Sequence, residues 1–375
     1  MGQVLSTIWG SGEKVKVVVI GCGVPERGMG WYHAKQLLDG DIPSGSLHAV
    51  VEPWFLGPGA DSEPGKAFAA WKEEVETNGN TTFHSSVDSV EFDDKTLALI
   101  SGRTADNPKL LRAVVDKGCK CVYLEKPGAP SVKELEGMSK YAADNDVKVF
   151  MGYNKNVTKY VKQALDIQGK MPGSQTTFIH NNAYKPEELP ECFERNAEGM
   201  FKNFVVHELA LLVTYYNVSV DNIKSVEFDD EFCSVQTLGK FTDFDKVKFT
   251  LTTKEDISVT VQADRCGGSF SNAVVYLDGE EQFRSVTPDD ALQRVVESKQ
   301  AKFPGYMPYF FLQHDDYITL KQSVCNNMVT GAEATGIATI EIAIETLKVA
   351  EHLTHAGMKK YSPGFFAKLI EQINI

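Results

Sequence analysis

The sequence predicts two domains: an N-terminal α/β domain on a doubly wound parallel sheet, and a C-terminal α+β domain on a large, mostly antiparallel open sheet. Three observations support this prediction. The chain has 375 residues, more than one hydrophobic core usually spans. Strand-like and helix-like stretches alternate up to about residue 153, and strand-like stretches dominate from about 173 to 287. We expect the two domains to occupy 14–152 and 153–375.

The elements of the first domain are predicted from apolar runs and their spacing. The run VKVVVI at 15–20 is almost entirely β-branched, as expected of a strand buried on both faces of a parallel sheet. Helix-like sequence follows as far as Leu38. Further strands are predicted at 47–54, 96–101, 120–125 and 147–153, and further helices at 68–77, 107–117 and 131–144.

The second domain is predicted from the strand-like runs between 173 and 287. The pair Asp278-Gly279 lies between alternating apolar runs and predicts a β-hairpin. A helical interruption is predicted near 197–216 and a final long helix near 332–353. An antiparallel sheet can leave one face uncovered, so we expect a homo-oligomer formed through this sheet.

Composition excludes several classes of protein. The formal net charge is −13, whereas nucleic-acid binding needs clustered basic residues, so we expect no nucleic-acid partner. No run of 18 apolar residues occurs, so no membrane span is expected. The seven cysteines are scattered without a C-x-x-C pair. This pattern predicts neither a disulfide framework nor a metal site, and favours a reducing, cytoplasmic location.

The first 13 residues are predicted to form an N-terminal tail. Gly2 and Ser6 match M-G-x-x-x-[ST], the acceptor pattern for N-myristoylation. No basic patch follows, so a myristoyl chain on Gly2 would give only weak, reversible membrane contact.

A glycine-rich turn follows the first strand in VVVIGCGVPERGMGWYHAKQLL, at 17–38. A pyrophosphate needs backbone N–H groups at the positive end of a helix, and glycines allow its close approach. Gly21 and Gly23 fit the first two positions of a dinucleotide-binding loop and Gly30 fits the third, with six residues between Gly23 and Gly30 where two are usual. A glycine-rich turn that binds no ligand is the alternative.

Two residues near this turn favour a dinucleotide. Glu52 ends the second predicted strand, where its carboxylate can accept hydrogen bonds from the adenosine ribose hydroxyls. Arg27, inside the longer loop, could reach a phosphate. A 2′-phosphate beside Glu52 would be repelled, and no basic residue follows Glu52 before Lys66. We therefore expect NAD or NADP as the cofactor, with NAD preferred.

The tripeptide Glu125-Lys126-Pro127 lies at the end of a predicted parallel strand, where ligands bind in open α/β sheets. A lysine there can lie beside a nicotinamide ring. The positive charge of the ring and partial burial would both lower the pKa of the amine, which suits Lys126 to proton transfer. The alternative is a surface lysine that follows a strand end.

In these motifs the sequence resembles the glucose–fructose oxidoreductase and inositol dehydrogenase family, known as Gfo/Idh/MocA. The likeness extends over nearly the whole chain. The segments that carry it are Gly30 to Leu37 (G-x-x-H-A-x-x-L), Gly118 to Pro127 (ending in E-K-P) and Gly152-Tyr153-Asn154. The resemblance implies a Rossmann-type nucleotide domain with cofactor contacts from Glu125 and Lys126. It also implies that Lys126 lies against nicotinamide and substrate, and that the Lys126–Pro127 bond is cis.

The sequence departs from the family at its D-x-x-x-H-x-x-D pattern. His207 aligns with the histidine, whereas Asn203 and Ala210 stand where the family has aspartates. We expect His207 and Lys126 to be the catalytic groups and Asn203 to bind substrate beside His207 on one helix face. A core histidine without a catalytic function is the alternative for His207. Lys155 and Asn156, where the family often has arginines, point to an unusual substrate.

The leading interpretation is an NAD(P)-dependent oxidoreductase. It would transfer a hydride between nicotinamide and the hydroxyl-bearing carbon of a sugar, polyol, cyclitol or related small polar substrate. Tyr153 and Tyr184 would line the pocket, and Lys185 or Arg195 would bind an acid group of the substrate. Two alternatives remain: a regulatory or scaffold protein that kept the nucleotide fold without turnover, and an NAD-dependent glycoside hydrolase.

Overall fold

A computed structural model describes residues 14–367 and contains two β-sheets, each covered by helices. The first sheet has six parallel strands, and the second has seven strands that are mostly antiparallel. The predicted fold class is confirmed. Gly2 and the predicted tail lie outside the described residues.

The first domain alternates strands and helices in the predicted order. Its strands are β1 (Val15–Ile20), β2 (Gly45–Val51), β3 (Thr82–His84), β4 (Thr96–Ile100), β5 (Cys121–Leu124) and β6 (Lys148–Met151). Its helices are α1 (Met29–Leu38), α2 (Glu63–Asn78), α3 (Asn107–Asp116) and α4 (Val132–Asp144). Ser62 and Ser131 cap α2 and α4 by accepting a backbone N–H through their side chains, as is typical of helix N-termini.

The strand order β3-β2-β1-β4-β5-β6 is that of a doubly wound nucleotide-binding sheet. Both faces are buried, because Val17 and Val19 pack in one hydrophobic cluster and Val18 and Ile20 in another on the opposite face. Full burial of one such side chain contributes about 1.5–3 kcal/mol. The chain order reverses between β1 and β4, and ligands of such sheets bind at this switch point.

The second domain begins after β6. Its elements before the C-terminal helices are α5 (Lys159–Lys170), β7 (Gln175–Asn181), α6 (Leu189–Arg195), α7 (Val206–Tyr216), β8 (Ile223–Phe228), β9 (Ser234–Leu238), β10 (Phe241–Thr253), β11 (Ser258–Asp264), β12 (Phe270–Leu277) and β13 (Glu280–Thr287). The strand order is β13-β12-β7-β11-β10-β8, and β9 pairs with β10. Asp278 and Gly279 both have positive φ angles and join β12 to β13 in the predicted hairpin.

The C-terminal helices connect the two domains. They are α8 (Asp290–Lys302), α9 (Pro308–Leu312), α10 (His314–Thr330) and α11 (Ile340–Tyr361). Helix α10 returns to the first sheet, where Leu320 and Val324 join the cluster that contains Val17. In α11, Leu347 packs with the first domain and Leu353 with the second. The first domain therefore includes packing partners from beyond the predicted boundary at 152.

Two helix predictions are wrong in their bounds. The final helix begins at Ile340 rather than near 332, because the residues before it run beside β6, where the Met151 N–H donates to the Ala338 carbonyl at 2.8 Å. The helix predicted at 197–216 is two segments, a π-helical turn at Met200–Phe204 followed by α7. Asn203 and His207 therefore do not share one regular α-helical face.

The seven cysteines are free thiols, and five of them are buried. Within residues 14–367, no helix is both long enough and apolar enough to cross a membrane.

Candidate functional site

The glycine turn after β1 is shaped by left-handed backbone and close packing. Gly21 and Gly23 have φ angles of +80° and +75°, which side-chain-bearing residues rarely adopt. A Cβ atom at Gly30 would lie 2.2 Å from the Gly21 carbonyl oxygen, so only glycine lets α1 pack this closely against the turn. At Gly23, by contrast, the nearest atom to such a Cβ is the Gly28 Cα at 3.3 Å.

The additional residues of the loop fold into a compact turn. The Gly28 N–H donates to the Val24 carbonyl at 2.7 Å, and the Trp31 N–H donates to the Cys22 carbonyl at 2.6 Å. The Arg27 side chain is exposed beside this turn. The insertion thus closes on itself before α1 begins.

Glu52 follows β2 and reaches across to the glycine turn. Its Oε2 accepts the Gly23 N–H at 2.8 Å, and its Oε1 accepts the Trp54 N–H at 3.1 Å. The residue is only 5% exposed. A carboxylate has about four acceptor positions, so Glu52 can still accept hydrogen bonds from ribose hydroxyls.

Lys126 follows β5 and begins a cis peptide bond to Pro127, as the resemblance implied. Its side chain is half-buried. Burial lowers the pKa of Lys126, while the negative charges of Glu125 and Glu198 oppose this effect. A lysine whose pKa is lowered is neutral more often near pH 7 and is a better proton acceptor.

Glu125 turns away from Lys126 into the first domain. Its Oε1 lies 3.0 Å from His33 Nε2, and a Cβ at Gly152 would lie 2.6 Å from the same oxygen. The opposite ring nitrogen, His33 Nδ1, lies 2.9 Å from Lys321 Nζ of α10. Burial, together with the charge of Lys321, lowers the pKa of His33 to about 4, although Glu125 opposes this. Neutral His33 can therefore accept from Lys321 and donate to Glu125.

His207 lies in the first turn of α7, against Tyr153. The two ring centroids are 6.0 Å apart in an edge-on arrangement. His207 Nδ1 and the Tyr153 hydroxyl are both buried without a hydrogen-bond partner among the described residues. Burial and the nearby charges of Lys126 and Lys155 lower the pKa of His207 well below its ordinary value. Buried polar groups are usually hydrogen-bonded, so these two unpaired groups are exceptions that call for a partner.

A buried ion cluster lies beside His207. The Glu208 carboxylate accepts a hydrogen bond from Lys155 Nζ and lies 3.1 Å from His180 Nδ1. Burial alone would raise the pKa of Glu208, but His180 and Lys155 lower it well below its usual range. The cluster therefore holds a charged carboxylate in the interior of the second domain.

A polar cleft of about 130 Å³ borders this cluster. Lys155 and His180 belong to its wall, and α10 contributes Asp316. Burial and the adjacent Asp315 raise the pKa of Asp316 to about 7. The remaining polar lining consists of amide and hydroxyl side chains: Asn154, Thr158, Tyr160, Asn181, Asn182, Ser269, Ser271, Thr287, Tyr309 and Gln313.

None of the predicted catalytic or substrate-binding residues is in the lining of this cleft, neither Lys126, His207 and Tyr153 nor Asn203, Tyr184 and Lys185. Lys185 is exposed, and its backbone N–H donates to Glu188 at 2.8 Å. The Tyr184 hydroxyl accepts a hydrogen bond from exposed Arg195 at 3.0 Å. Asn203 is half-buried in the π-helical turn, and its backbone N–H donates to the Gly199 carbonyl.

Sequence reasoning assigned no function to His180, Glu208 or Lys321. Glu208 directly follows His207, but adjacent helical residues point in different directions, so the sequence does not reveal that Glu208 is buried. His33 belongs to the motif G-x-x-H-A, which was the only signal for the contact with Glu125. No sequence signal pairs His33 with Lys321, since 288 positions separate them.

Comparison with solved structures finds dehydrogenases of the same fold. A myo-inositol dehydrogenase from Corynebacterium glutamicum matches with a TM-score of 0.66 and 16% identity, over 94% of this chain and 97% of that one. A myo-inositol 2-dehydrogenase from Lactobacillus plantarum matches with 0.66 and 16%, over 93% and 98%. A scyllo-inositol dehydrogenase from Lactobacillus casei, solved with NAD(H) and scyllo-inositol, matches with 0.64 and 12%, over 92% and 97%. No protein-family model and no curated protein matches the sequence.

Proposed function

We propose that this protein is an NAD-dependent oxidoreductase that acts on a CH–OH group of a polyol, cyclitol or sugar. The observation that carries the proposal is that α7, which bears His207, packs against β5, which Lys126 follows: Val206 and Ala210 lie in the same hydrophobic cluster as Leu124. Lys126 follows β5 of the first domain, and His207 lies in the first turn of α7 of the second. Burial, and after it the charge of Lys126, lowers the pKa of His207. Two proton-transfer groups near the junction of two domains suit an alcohol oxidation. The structural likeness to inositol dehydrogenases supports the same conclusion.

The residues at the switch point fit a dinucleotide. Left-handed Gly21 and Gly23 shape a turn that pyrophosphate can approach, and the nearest described atom to a Cβ at Gly23 is the Gly28 Cα at 3.3 Å. Glu52 is held at the end of β2, where it would bind the adenosine ribose. Lys126 would lie beside the nicotinamide. Glu125 would support this end of the site from the interior of the first domain. Bound there, the nicotinamide supplies the hydride acceptor for oxidation and the donor for reduction.

Side chains of the protein carry out the proton transfer. During oxidation, the substrate carbon loses a hydride and the hydroxyl loses its proton, which leaves a carbonyl product. Neutral Lys126 accepts that proton at Nζ, and the lowered pKa increases its neutral fraction. His207 Nδ1 and the Tyr153 hydroxyl, both unpartnered, orient the reacting hydroxyl or its neighbour. Reduction runs through the same groups in reverse.

The cleft favours an uncharged substrate with several hydroxyl groups. Its lining is rich in amides and hydroxyls, and its one lysine, Lys155, is already paired with Glu208. The positive charge of Lys155 is therefore compensated by Glu208 and does not favour an acidic substrate. The exposed Lys185 and Arg195 are the remaining cations for a substrate acid group, and recognition by them would require the substrate to extend beyond the cleft.

We also propose self-association through the second sheet. In β11, Val259, Val261 and Ala263 are buried, while the alternate residues Thr260 and Gln262 are half-buried on the opposite face. This polar face could pair with a second copy of the chain. Sedimentation velocity at several protein concentrations tests it, and a monomer throughout would contradict it.

A substrate panel tests the proposed activity. Purified full-length protein is mixed with NAD or NADP and with cyclitols, polyols, aldoses and uronic acids, and reduction is followed at the NADH absorbance band. We expect turnover with at least one neutral polyol and NAD. Dinucleotide binding without turnover on any member, in either direction, would favour the scaffold alternative.

One observation favours that scaffold alternative. Ala210, at the second aspartate position of the family pattern, is fully buried in the core and offers no group to a substrate. Asn203, at the other aspartate position, cannot accept a proton. Nucleotide binding that changes the protein's stability, combined with no hydride transfer, is the result that this alternative predicts.

A further inference from the structure

Trp54 is an exposed aromatic residue two positions after Glu52. Its exposed fraction is 59%, the highest among the large apolar side chains of residues 14–367. The next residue, Phe55, is buried, and its ring centroid lies 5.6 Å from that of Phe68. Phe55 thus packs in the core, whereas the Trp54 side chain faces solvent. Single exposed apolar residues are common, so exposure alone indicates no function.

The position of Trp54 is specific. The Glu52 carboxylate accepts the Gly23 N–H through one oxygen and the Trp54 N–H through the other. Trp54 and the glycine turn are therefore joined by a single side chain at the carboxyl end of β2. In a doubly wound sheet of this strand order, the adenosine half of a dinucleotide lies over this end.

The indole ring is supported by its own loop. A Cβ atom at Gly59 would lie 2.2 Å from Trp54 Nε1 and 2.6 Å from Cδ1, so the Gly59 backbone lies against the five-membered ring. The Gly59 N–H also donates to the Trp54 carbonyl at 2.8 Å. The ring is thus held by a closed turn while much of its surface faces solvent. A rigid aromatic side chain loses little conformational entropy when it binds a ligand.

We propose that Trp54 is the stacking platform for the adenine of a dinucleotide bound at the glycine turn. This inference rests on the proposed function, because it needs the dinucleotide. An aromatic ring stacks on any base face, and removing such a ring typically weakens binding about 10- to 100-fold. Glu52 then recognises the ribose while Trp54 recognises the base, and both act from one loop.

Fragments of the cofactor test the proposal. Dissociation constants are measured calorimetrically on the full-length protein for NADH, for ADP-ribose, which has the adenine, and for nicotinamide mononucleotide, which lacks it. Trp54→Ala should weaken NADH and ADP-ribose about 10- to 100-fold and leave nicotinamide mononucleotide unchanged. Trp54→Phe should restore most of the affinity, because it keeps an aromatic face. Val329→Ala, at another exposed apolar side chain, is the control and should change none of the three.

A second readout uses the intrinsic fluorescence of the indole. Titration with ADP-ribose should quench the emission of the wild-type protein and quench Trp54→Phe much less. Equal quenching, or equal affinities for wild type and Trp54→Ala, overturns the inference while the proposed function stands. Equal weakening of all three ligands by Trp54→Ala also overturns it, because it would indicate a structural disturbance. A wild-type protein that binds no dinucleotide refutes the proposed function itself.

Discussion

Lys321 Nζ lies 2.9 Å from His33 Nδ1, so a buried lysine and a buried histidine are direct hydrogen-bond partners. Lys321 also donates to Gln36 Oε1 at 2.6 Å. Burial lowers the pKa of Lys321 to about 7. The link joins α10, from the C-terminal part of the chain, to α1 and through His33 to Glu125 at the proposed cofactor site.

This burial predicts a pH-dependent stability. In the unfolded chain a lysine has a pKa of about 10.4, so between pH 7 and about 10 the unfolded chain binds more protons at Lys321 than the folded protein does. The free energy of unfolding therefore gains a contribution that rises with pH in this window, approaching about 1.4 kcal/mol per pH unit. Lys321→Met removes that contribution. Chemical denaturation of both proteins from pH 7 to 9.5 measures the difference.

The control is Lys133→Met, at an exposed lysine of α4. It should leave the slope of wild type unchanged, because the Lys133 side chain faces solvent in the folded protein as it does in the unfolded chain. His33 titrates well below this window, since its pKa is about 4. Parallel stability curves for wild type and Lys321→Met would contradict the prediction.

The Glu208 cluster predicts a large loss of stability on removal of one charge. Glu208→Gln leaves Lys155 buried beside a neutral amide, and breaking a buried ion pair in this way typically costs about 3–5 kcal/mol. The free energy of unfolding in urea measures the loss. Glu63→Gln is the matched control, because Glu63 pairs with Lys66 on the surface, where such pairs contribute little. Equal effects of the two substitutions would show that the Glu208 cluster does not stabilise the protein.

The fold was predictable because its signals are local. Continuous β-branched runs such as 15–20 mark strands buried on both faces, and Asp278-Gly279 marks a hairpin by its backbone preference alone. Helices α8 to α10 were not predicted. The polar stretch around α8 contributes no buried residue, so it lacks the apolar stripe on which a helix prediction depends.

The candidate site was predictable only in part. Lys126 and Glu52 follow strands, and strand ends converge at one edge of a parallel sheet, so their placement follows from the sequence pattern. The partners of Glu125 and Glu208 depend on contacts between distant segments, which no periodicity encodes. Asn203 was placed by counting along a regular helix, and the π-helical turn changes that count.

The glycine turn predicts two different outcomes for two similar substitutions. Gly23→Val should abolish dinucleotide binding and leave the protein folded, because a side chain there would occupy the approach of the pyrophosphate while few protein atoms lie nearby. Its positive φ angle makes some loss of stability expected, roughly 1–3 kcal/mol. Gly30→Ala should chiefly destabilise the fold, since its Cβ would lie 2.2 Å from the Gly21 carbonyl oxygen. Calorimetric affinity for NADH and thermal unfolding separate the two effects. Unchanged affinity in folded Gly23→Val would show that the loop does not bind pyrophosphate.

Glu52 predicts a preference for NAD over NADP. A 2′-phosphate would bring about two negative charges to a buried carboxylate, whereas a 2′-hydroxyl can donate to it. Arg27 and Arg103 could compensate the charge of a 2′-phosphate, but both are exposed, and Arg103 is paired with Asp106 at 2.9 Å. The dissociation constants of NADH and NADPH should therefore favour NADH, and Glu52→Gln should reduce the preference. Tighter binding of NADPH than of NADH by wild type would refute the predicted preference for NAD. Loss of that tighter NADPH binding in Arg27→Ala or Arg103→Ala would then identify the arginine responsible.

If Lys126 transfers a proton, its replacement should reduce turnover, and a residue that only keeps the positive charge should not restore it. Lys126→Ala should reduce turnover about 100-fold or more, the usual contribution of a general acid–base group, and should change cofactor affinity much less. Lys126→Arg should be comparably slow, because a guanidinium keeps the positive charge but does not deprotonate in proteins. Single-turnover reduction of NAD by the substrate found in the panel, followed at the NADH absorbance band, measures both variants, with Lys133→Ala as the exposed control. If Lys126→Arg retains wild-type turnover, Lys126 acts through its charge, and His207, whose Nδ1 has no partner among the described residues, becomes the principal candidate for the base.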